Sequence, residues 1–204
     1  MTPPSADPRL EAFCDGVFAI ALTLLVIDIK VPATAQIEDA ATLRLALRHL
    51  LPVIGAFVLS FTIILITWVN HHATLKLVTA TSPTFLYANG FLLLTVVFVP
   101  FPTALLGAYV FTAAAGPAVA LYDAVLAVQA VSWILLLTVA LQEGLARDSV
   151  AAAQLGANRR YGYLALGLYS LLALAALRFP LAVAAATVVI WAFWLGLGVT
   201  MHTE

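Results

Sequence analysis

Charged residues are scarce in this chain of 204 residues: only 9% are Asp, Glu, Lys or Arg, whereas 64% are hydrophobic. A soluble domain carries about 25% charged and about 45–50% apolar residues. The composition therefore excludes an ordinary globular domain and a disordered chain, and it predicts an integral membrane protein. Nine basic and ten acidic residues give a net charge of −1, so the chain lacks the basic surface that nucleic-acid binding requires.

Cysteine and the common motifs of metal and catalytic sites are also nearly absent. The single cysteine, Cys14, cannot form an intrachain disulfide, and no Cys/His cluster has the spacing of metal ligands. His71 and His72 are adjacent, so they lack the i, i+4 geometry of paired zinc ligands on a helix. Hydrolase motifs and the Thr-Val-Gly-Tyr-Gly filter of many potassium channels are missing. We therefore predict a protein that is not an enzyme, with no cofactor, no fixed metal and no filter of backbone carbonyls.

Six long apolar runs occupy most of the chain. A bilayer core of about 30 Å needs roughly 20 apolar residues in a helix. The runs are continuous instead of alternating, so they predict helices and not barrel strands. The predicted transmembrane helices cover residues 10–31, 50–69, 85–111, 119–141, 161–177 and 181–199. Together they predict a single all-α transmembrane domain over residues 1–204.

Prolines and basic residues indicate where these spans break and how they are oriented. Pro100 and Pro102 predict a kink or an end within the third span, and residues 33–49 predict a partly interfacial helix. Six spans place both termini on one side, and the positive-inside rule favours the cytoplasmic side of the cell (inner) membrane, by one basic residue. The basic residues predicted inside are Arg9, Lys76, Arg147, Arg159 and Arg160, and those predicted outside are Lys30, Arg44, Arg48 and Arg178. We expect no cleavable signal peptide.

The first predicted helix carries an apolar stripe. At about 100° per residue, Ile20, Leu24 and Ile27 fall within roughly 60° of one another. Phe13 and Gly16 extend this stripe toward the N-terminus. Such a stripe lines a pore, packs against a neighbour or faces lipid.

Asp15 lies on another side of the same helix, roughly 140° from the first isoleucine of the stripe. A carboxylate one turn inside the membrane costs several kcal/mol unless it has a partner. The second helix ends with Trp68, His71 and His72 at the same depth, so we expect a contact between Asp15 and a histidine, with Arg9 as the other available cation. Alternatively, Trp68 and the histidines are ordinary residues of the membrane interface.

Three further polar residues lie in or beside apolar runs. Asn89 is expected either to form a hydrogen bond to another helix or to cap its own helix. Asp123 and Glu143 flank the fourth helix and are expected to be surface charges.

The pattern Arg9-x-x-x-Phe13-x-Asp15-Gly16, followed by Val-Phe-Ala-Ile-Ala-Leu-Thr-Leu-Leu, resembles the signature of the transmembrane-protein-175 potassium channel family. The resemblance extends over residues 9–32 and, less closely, over 61–103, where Trp68-x-x-His71-His72 and Asn89 with Pro100-Phe101 match features of the second and third helices. One position departs from the family, which usually has Ser where this chain has Cys14. That exchange preserves packing and weakens any hydrogen bond of the hydroxyl.

The resemblance implies a leak-type, potassium-permeable channel without a filter loop. It implies a homotetramer of six-helix chains in membrane lipid, in which the first helix of each subunit lines a central pore for potassium and other monovalent cations. Ile20, Leu24 and Ile27 would form successive constriction rings, and Thr23 would contribute to selectivity. The implied packing network behind the pore helix consists of Arg9, Phe13, Asp15, Gly16, Trp68, His71, His72 and Asn89.

Two other functions remain open at this point. A proton-coupled transporter of a small solute would use a relay between Asp15 and His71, although such transporters place an ionisable group near mid-membrane. A membrane protein without transport would pack its stripe of Ile20, Leu24 and Ile27 against a neighbour or lipid. Bilayer conductance would distinguish these readings from a channel.

Overall fold

The computed structural model of the chain describes residues 8–200 and, within them, all side chains except those of Gln36 and residues 193–200. These residues form eight α-helices and two short 3₁₀ turns. The helices are α1 (Pro8–Leu24), α2 (Ala40–His49), α3 (Leu51–Lys76), α4 (Pro83–Phe98), α5 (Pro100–Tyr109), α6 (Ala115–Gln142), α7 (Ser149–Ala176) and α8 (Pro180–Thr200), and the 3₁₀ turns are Leu25–Asp28 and Thr34–Gln36.

Four helical stretches in the described part of the chain are long and apolar enough to cross a membrane. They are Pro8–Asp28, Leu51–Lys76, Pro83–Tyr109 and Ala115–Gln142. The helix α7 has 28 residues, but Arg159 and Arg160 interrupt its apolar character. In α8 the apolar part with described side chains is the shorter stretch Pro180–Ala192. The all-helical membrane architecture is thus established, and the count of six spans stays a prediction.

The first predicted span is not a single α-helix. Its α-helical part ends at Leu24 and continues as the 3₁₀ turn Leu25–Asp28. In 3₁₀ geometry side chains three residues apart eclipse each other. Ile27 therefore stays above Leu24, and the apolar stripe continues across the change of helix type.

The third predicted span breaks at Val99, as its prolines predicted. The helix α4 ends at Phe98 and α5 begins at Pro100. Proline has no N–H to donate, and its ring clashes with the carbonyl four residues earlier. That carbonyl belongs to Val96, and it accepts from the Val99 N–H at 3.2 Å instead.

Helix α2 confirms that residues 33–49 contain a helix. It begins with a reciprocal cap in which the Asp39 side chain accepts from the Thr42 N–H at 2.8 Å and Thr42 Oγ1 accepts from the Asp39 N–H at 3.0 Å. The first of these hydrogen bonds is the main reason that the pKa of Asp39 lies below its ordinary value.

The helix α6 lies at the centre of the bundle and packs against α4, α5, α7 and α8. The helix α1 is peripheral, and its main neighbours are α3 and α4. One side of α1 is therefore buried by these two helices, while the other side is exposed in the part of the chain that the structure describes.

The loops α3–α4 and α6–α7 meet at one end of the bundle. The Arg147 N–H donates to the Leu77 carbonyl at 2.8 Å, and the Thr79 N–H donates to the Leu145 carbonyl at 3.1 Å. The helix α1 begins at the same end, which we call the proximal end (residues 8–15, 71–83 and 143–150). The other end, formed by residues 28–52, 109–118 and 176–181, is the distal end.

Candidate functional site: the first helix and its anchor

The apolar stripe predicted on the first helix is exposed along its whole length. Phe13, Ile20, Leu24 and Ile27 are 62%, 58%, 37% and 59% exposed. Gly16 is exposed as well, and a Cβ at this position would have nothing within 4 Å. Within one chain the stripe is thus uncovered, so it can face a pore, other subunits or lipid.

The opposite side of α1 is fully buried. Cys14, Phe18, Ala21 and Leu25 are at most 1% exposed, and they pack in one cluster with residues of α3, α4 and α6. Their spacing of four, three and four residues is that of one helix face. The side chain of Leu22 is half-buried beside this cluster.

Thr23 is exposed near the stripe, and its hydroxyl donates to the Ile20 carbonyl at 2.9 Å. This hydrogen bond uses the hydroxyl proton, while the oxygen keeps lone pairs that can accept or coordinate. Thr23 therefore places a polar oxygen on α1 at the depth of the apolar residues.

Asp15 is held by a tryptophan and not by a histidine. Trp68 Nε1 donates to Asp15 Oδ1 at 2.8 Å, and both residues are partly buried. The expected contact between Asp15 and a histidine is therefore wrong, and so is the view of Trp68 as only an interfacial residue. The position of Trp68 on α3 places its indole N–H, an uncharged donor, against the Asp15 carboxylate.

His71 forms its hydrogen bond with the third span. Its Nε2 lies 2.7 Å from Asn89 Oδ1, and both side chains are 1% exposed. Since the amide oxygen only accepts, Nε2 carries the proton in this pair. Asn89 Nδ2 in turn donates to Cys14 Sγ at 3.2 Å. Asn89 thus links α1, α3 and α4, which confirms a hydrogen bond between helices and excludes a role as a cap.

His72 completes this anchor at the proximal end. Its Nδ1 lies 2.9 Å from Glu11 Oε1, and its ring stacks on Trp68 with 6.0 Å between centroids. Glu11 was not predicted as a site residue, although it lies one helical turn before Asp15. We call this group the anchor: Glu11, Cys14, Asp15, Trp68, His71, His72 and Asn89.

The remaining predicted network residues lie outside the anchor. Phe13 and Gly16 are on the exposed side of α1, away from the other helices in the described part of the chain. Arg9 is exposed at the start of α1. Any packing role for Phe13 and Gly16 would need a neighbouring subunit.

Comparison with known proteins identifies the family. The profile of the family described as endosomal/lysosomal potassium channel TMEM175 matches residues 9–100. The crystal structure of a lysosomal potassium-selective channel TMEM175 homolog from Chamaesiphon minutus is 35% identical, with a TM-score of 0.83 over 93% of this chain and 96% of that chain. This chain belongs to the TMEM175 family. That family is one of potassium channels and not of enzymes.

Other TMEM175 relatives agree with this assignment. A potassium channel of Chamaesiphon minutus is 49% identical over 118 residues, which are 58% of each chain. One of Streptomyces collinus is 45% identical over 101 residues, or 50% of this chain and 48% of the relative. The chain thus aligns with about half the length of these curated relatives. The fold is also that of a nanobody-bound TMEM175 potassium channel variant, which is 18% identical with a TM-score of 0.64 over 95% of this chain and 89% of that chain.

The departure from the TMEM175 signature at Cys14 is accommodated in the anchor. The Cys14 thiol is fully buried, and its sulfur accepts from Asn89. Sulfur is a weak acceptor, so this bond is weaker than one to a serine oxygen would be. Packing is retained, as expected from the similar size of the two side chains.

The prediction that Asp123 is a surface charge is wrong. In this TMEM175 chain Asp123 is fully buried in α6, and its Oδ1 accepts from Thr187 Oγ1 of α8 at 3.0 Å. Its flanking residues are apolar, which was a signal for burial, but sequence could not show that α8 supplies a donor there. Glu143 is exposed and accepts from Ser82 Oγ at the proximal end.

The alternative function, a proton-coupled transporter, depends on a contact between Asp15 and His71. In the described part of the chain, Asp15 accepts from Trp68, and His71 pairs with Asn89. Among the described residues, no hydrogen bond joins Asp15 to His71. The geometry therefore does not favour that alternative.

Proposed function

We propose that this protein is a leak-type, potassium-permeable cation channel in which α1 lines the pore. The observation that carries the proposal is the two-sided character of α1. Its apolar stripe, from Phe13 to Ile27, is exposed, while the opposite side is fixed by the buried cluster and by the anchor. The names of the relatives as potassium channels support the permeant ion.

One chain offers one such stripe, and a pore needs several stripes around an axis. We propose a homotetramer with cyclic symmetry, in which four copies of α1 surround the pore. The exposed Phe13 and Gly16 would then contact neighbouring subunits at the proximal end. A stable monomer in native mass spectrometry, under lipid conditions that preserve ion flux, would contradict this assembly.

Rings of Ile20, Leu24 and Ile27 would close the pore by excluding water. A hydrophobic constriction gates by dewetting, so no specific bond has to break for it to open. Thr23 would supply four hydroxyl oxygens beside the Ile20 ring as a contribution to selectivity. Selection among cations would follow from the different costs of partial dehydration, without a filter of backbone carbonyls.

In the proposed orientation the protein spans the cell (inner) membrane, and its proximal end faces the cytoplasm. Both described ends, the start of α1 and the end of α8, lie on that side of the bundle. The positive-inside rule supports this orientation when the two arginines within α7 are counted on the proximal side, which gives five basic residues there (Arg9, Lys76, Arg147, Arg159 and Arg160) and four on the distal side (Lys30, Arg44, Arg48 and Arg178).

Substitution of Ile20 by asparagine tests the pore directly. An amide hydrogen-bonds to water and would wet the narrowest ring, so we expect severalfold larger potassium flux into liposomes and weaker discrimination against sodium. Unchanged flux in protein that is still tetrameric would show that Ile20 does not line the pore.

Two asparagine variants serve as matched controls for this flux experiment. Leu22→Asn alters the half-buried side of α1, and Leu171→Asn alters a side chain of α7 that is 65% exposed. Neither should raise flux. A rise in flux for Leu171→Asn equal to that for Ile20→Asn would indicate general leakiness and contradict the assignment of α1.

A further inference from the structure

A large cavity opens at the distal end, away from the stripe of α1. It has a volume of about 1110 Å³ and lies between α3, α5, α6 and α8. Its mouth is formed by exposed apolar residues that include Leu51, Val58 and Val188. Sites for small molecules usually have about 300–1,000 Å³ and mostly apolar walls, so this cavity is large enough for one.

The cavity wall contains one acidic side chain, Asp123, which is fully buried. Its Oδ1 accepts from Thr187, but its Oδ2 has no hydrogen-bond partner among the described residues. A buried polar atom without a partner carries a substantial desolvation cost. A ligand that donates a hydrogen bond to Oδ2 would remove that cost.

Two other polar groups of the wall, the Tyr122 hydroxyl and Trp191 Nε1, are less suited to accept a hydrogen bond from a ligand. The Tyr122 hydroxyl lies 2.9 Å from Ser60 Oγ, which accepts from Thr103 Oγ1 at 2.6 Å. These hydroxyls already have partners. Trp191 Nε1 is buried without a hydrogen-bond partner among the described residues, but it can only donate. Among the described side chains that line the cavity, Asp123 Oδ2 is the acceptor atom that lacks a hydrogen-bond partner.

We propose that this cavity binds a lipophilic amine, with its ammonium group on Asp123 Oδ2 and its apolar body between α3, α5 and α8. A charge-assisted hydrogen bond would pair the buried carboxylate, and the apolar walls would gain by burying the body of the ligand. The site is separate from the proposed pore, since no residue of α1 lines it.

The carboxylate also argues against other occupants. An acyl chain or an apolar side chain of a second subunit would fill the space but leave Oδ2 without a donor. A zwitterionic phospholipid would bring its phosphate next to the buried Asp123, where like charges repel. Arg48, the basic residue of the lining, is an exposed part of the rim and repels a second cation there.

Dodecylamine and 1-dodecanol are suitable probes because they differ mainly in the charge of the head group. Purified full-length protein in detergent is titrated with each probe, and bound adducts are counted by native mass spectrometry alongside the melting temperature. We expect dodecylamine to bind and raise the melting temperature. We expect dodecanol to bind about tenfold more weakly or worse, as loss of a charged hydrogen bond predicts.

Two variants alter the site in different ways. Asp123→Asn keeps an oxygen for Thr187 and removes the charge. Gly55→Phe fills part of the cavity and leaves the Asp123 carboxylate in place, because Gly55 lines the cavity and a Cβ there meets nothing within 4 Å. Each should weaken dodecylamine binding about tenfold or more. Leu171→Asn, on an exposed face of α7, should leave it unchanged.

Several outcomes would overturn the proposal. Equal binding of dodecylamine and dodecanol would reveal a groove for acyl chains. Unchanged dodecylamine affinity in Asp123→Asn would show that the carboxylate does not bind the amine. A phospholipid that co-purifies with both the wild type and this variant would identify lipid as the occupant. Loss of the oligomer in Gly55→Phe would assign the cavity to a subunit interface. Because these experiments measure binding, the proposal of an amine site is tested independently of potassium flux.

Discussion

The two ends of the helix bundle differ in how far their polar side chains are hydrogen-bonded. At the proximal end, Asp15 has Trp68 as its partner, and His71 has Asn89. At the distal end, the Asp123 carboxylate has a donor for one oxygen and none among the described residues for the other. At the first end hydrogen bonds join three helices, and the second end borders an open cavity.

This difference indicates what each end can do. The hydrogen bonds Trp68–Asp15 and His71–Asn89 join α1, α3 and α4 and resist a rearrangement of these helices. The anchor can therefore hold α1 by one side while the other side stays uncovered. Among the described residues the distal carboxylate has a donor for one oxygen only, and the proposed amine would supply a donor for the other.

The largest effect is expected where the distal end is most tightly packed. A Cβ at Gly107 would lie 2.8 Å from Val53 Cα, a backbone atom that cannot rotate away. We expect Gly107→Ala to lower the free energy of unfolding by about 2–3 kcal/mol, as for other overpacked sites. Denaturant titration in detergent measures this change. An unchanged unfolding midpoint would mean that α3 and α5 are farther apart than described.

The next largest effect concerns the anchor. Asn89→Ala removes the partner of the buried His71 and leaves an unpaired ring nitrogen, which costs about 1–3 kcal/mol. The same titration measures it. Asn70→Ala, at an exposed position of α3, is the matched control and should change stability little. Equal losses for the two variants would contradict the bridge through Asn89.

A smaller effect is expected at Asp15, because its partner is an uncharged donor. Asp15→Ala leaves the Trp68 N–H without its acceptor, and we expect a loss of about 1–2 kcal/mol. Asp15→Asn keeps an acceptor oxygen and should lose less than half of that. Glu143→Ala, at an exposed position, should cost less than Asp15→Ala. The ranking is read from melting temperatures, and equal losses for Asp15→Ala and Asp15→Asn would show that the charge of Asp15 matters more than its acceptor oxygen.

The smallest effect should have the opposite sign. Gly55 lines the open cavity, and a Cβ there meets no atom within 4 Å. Gly55→Ala should therefore stabilise the protein, by up to about 1 kcal/mol, through the higher helix propensity of alanine. The comparison with Gly107→Ala uses the same substitution at a glycine of α3 that borders open space and at a glycine of α5 that is packed against Val53 of α3. A loss of stability in both variants would show that the cavity is filled in the assembled protein.

Sequence predicted the parts of this fold that depend on local order. The apolar side of α1 with Ile20 and Ile27 follows from helical periodicity, and the break near Pro100 follows from the chemistry of proline. The pairing of Asp15 was predicted with the wrong partner, because Trp68 and His71 differ only by their position around α3. They lie three residues apart, about 60° around and about 4.5 Å along the helix, and a single sequence does not fix which of them meets Asp15.

By itself, the sequence determined that the chain is helical, that it belongs in a membrane and that α1 has one continuous apolar stripe. Composition and spacing suffice for these properties because each depends on residues that are neighbours along one helix. Tertiary structure alone decided that Asn89 joins three helices, that Asp123 is buried against Thr187 and that a cavity remains beside it. These features depend on which residues of separate helices meet, and that is set by the packing of all the helices together.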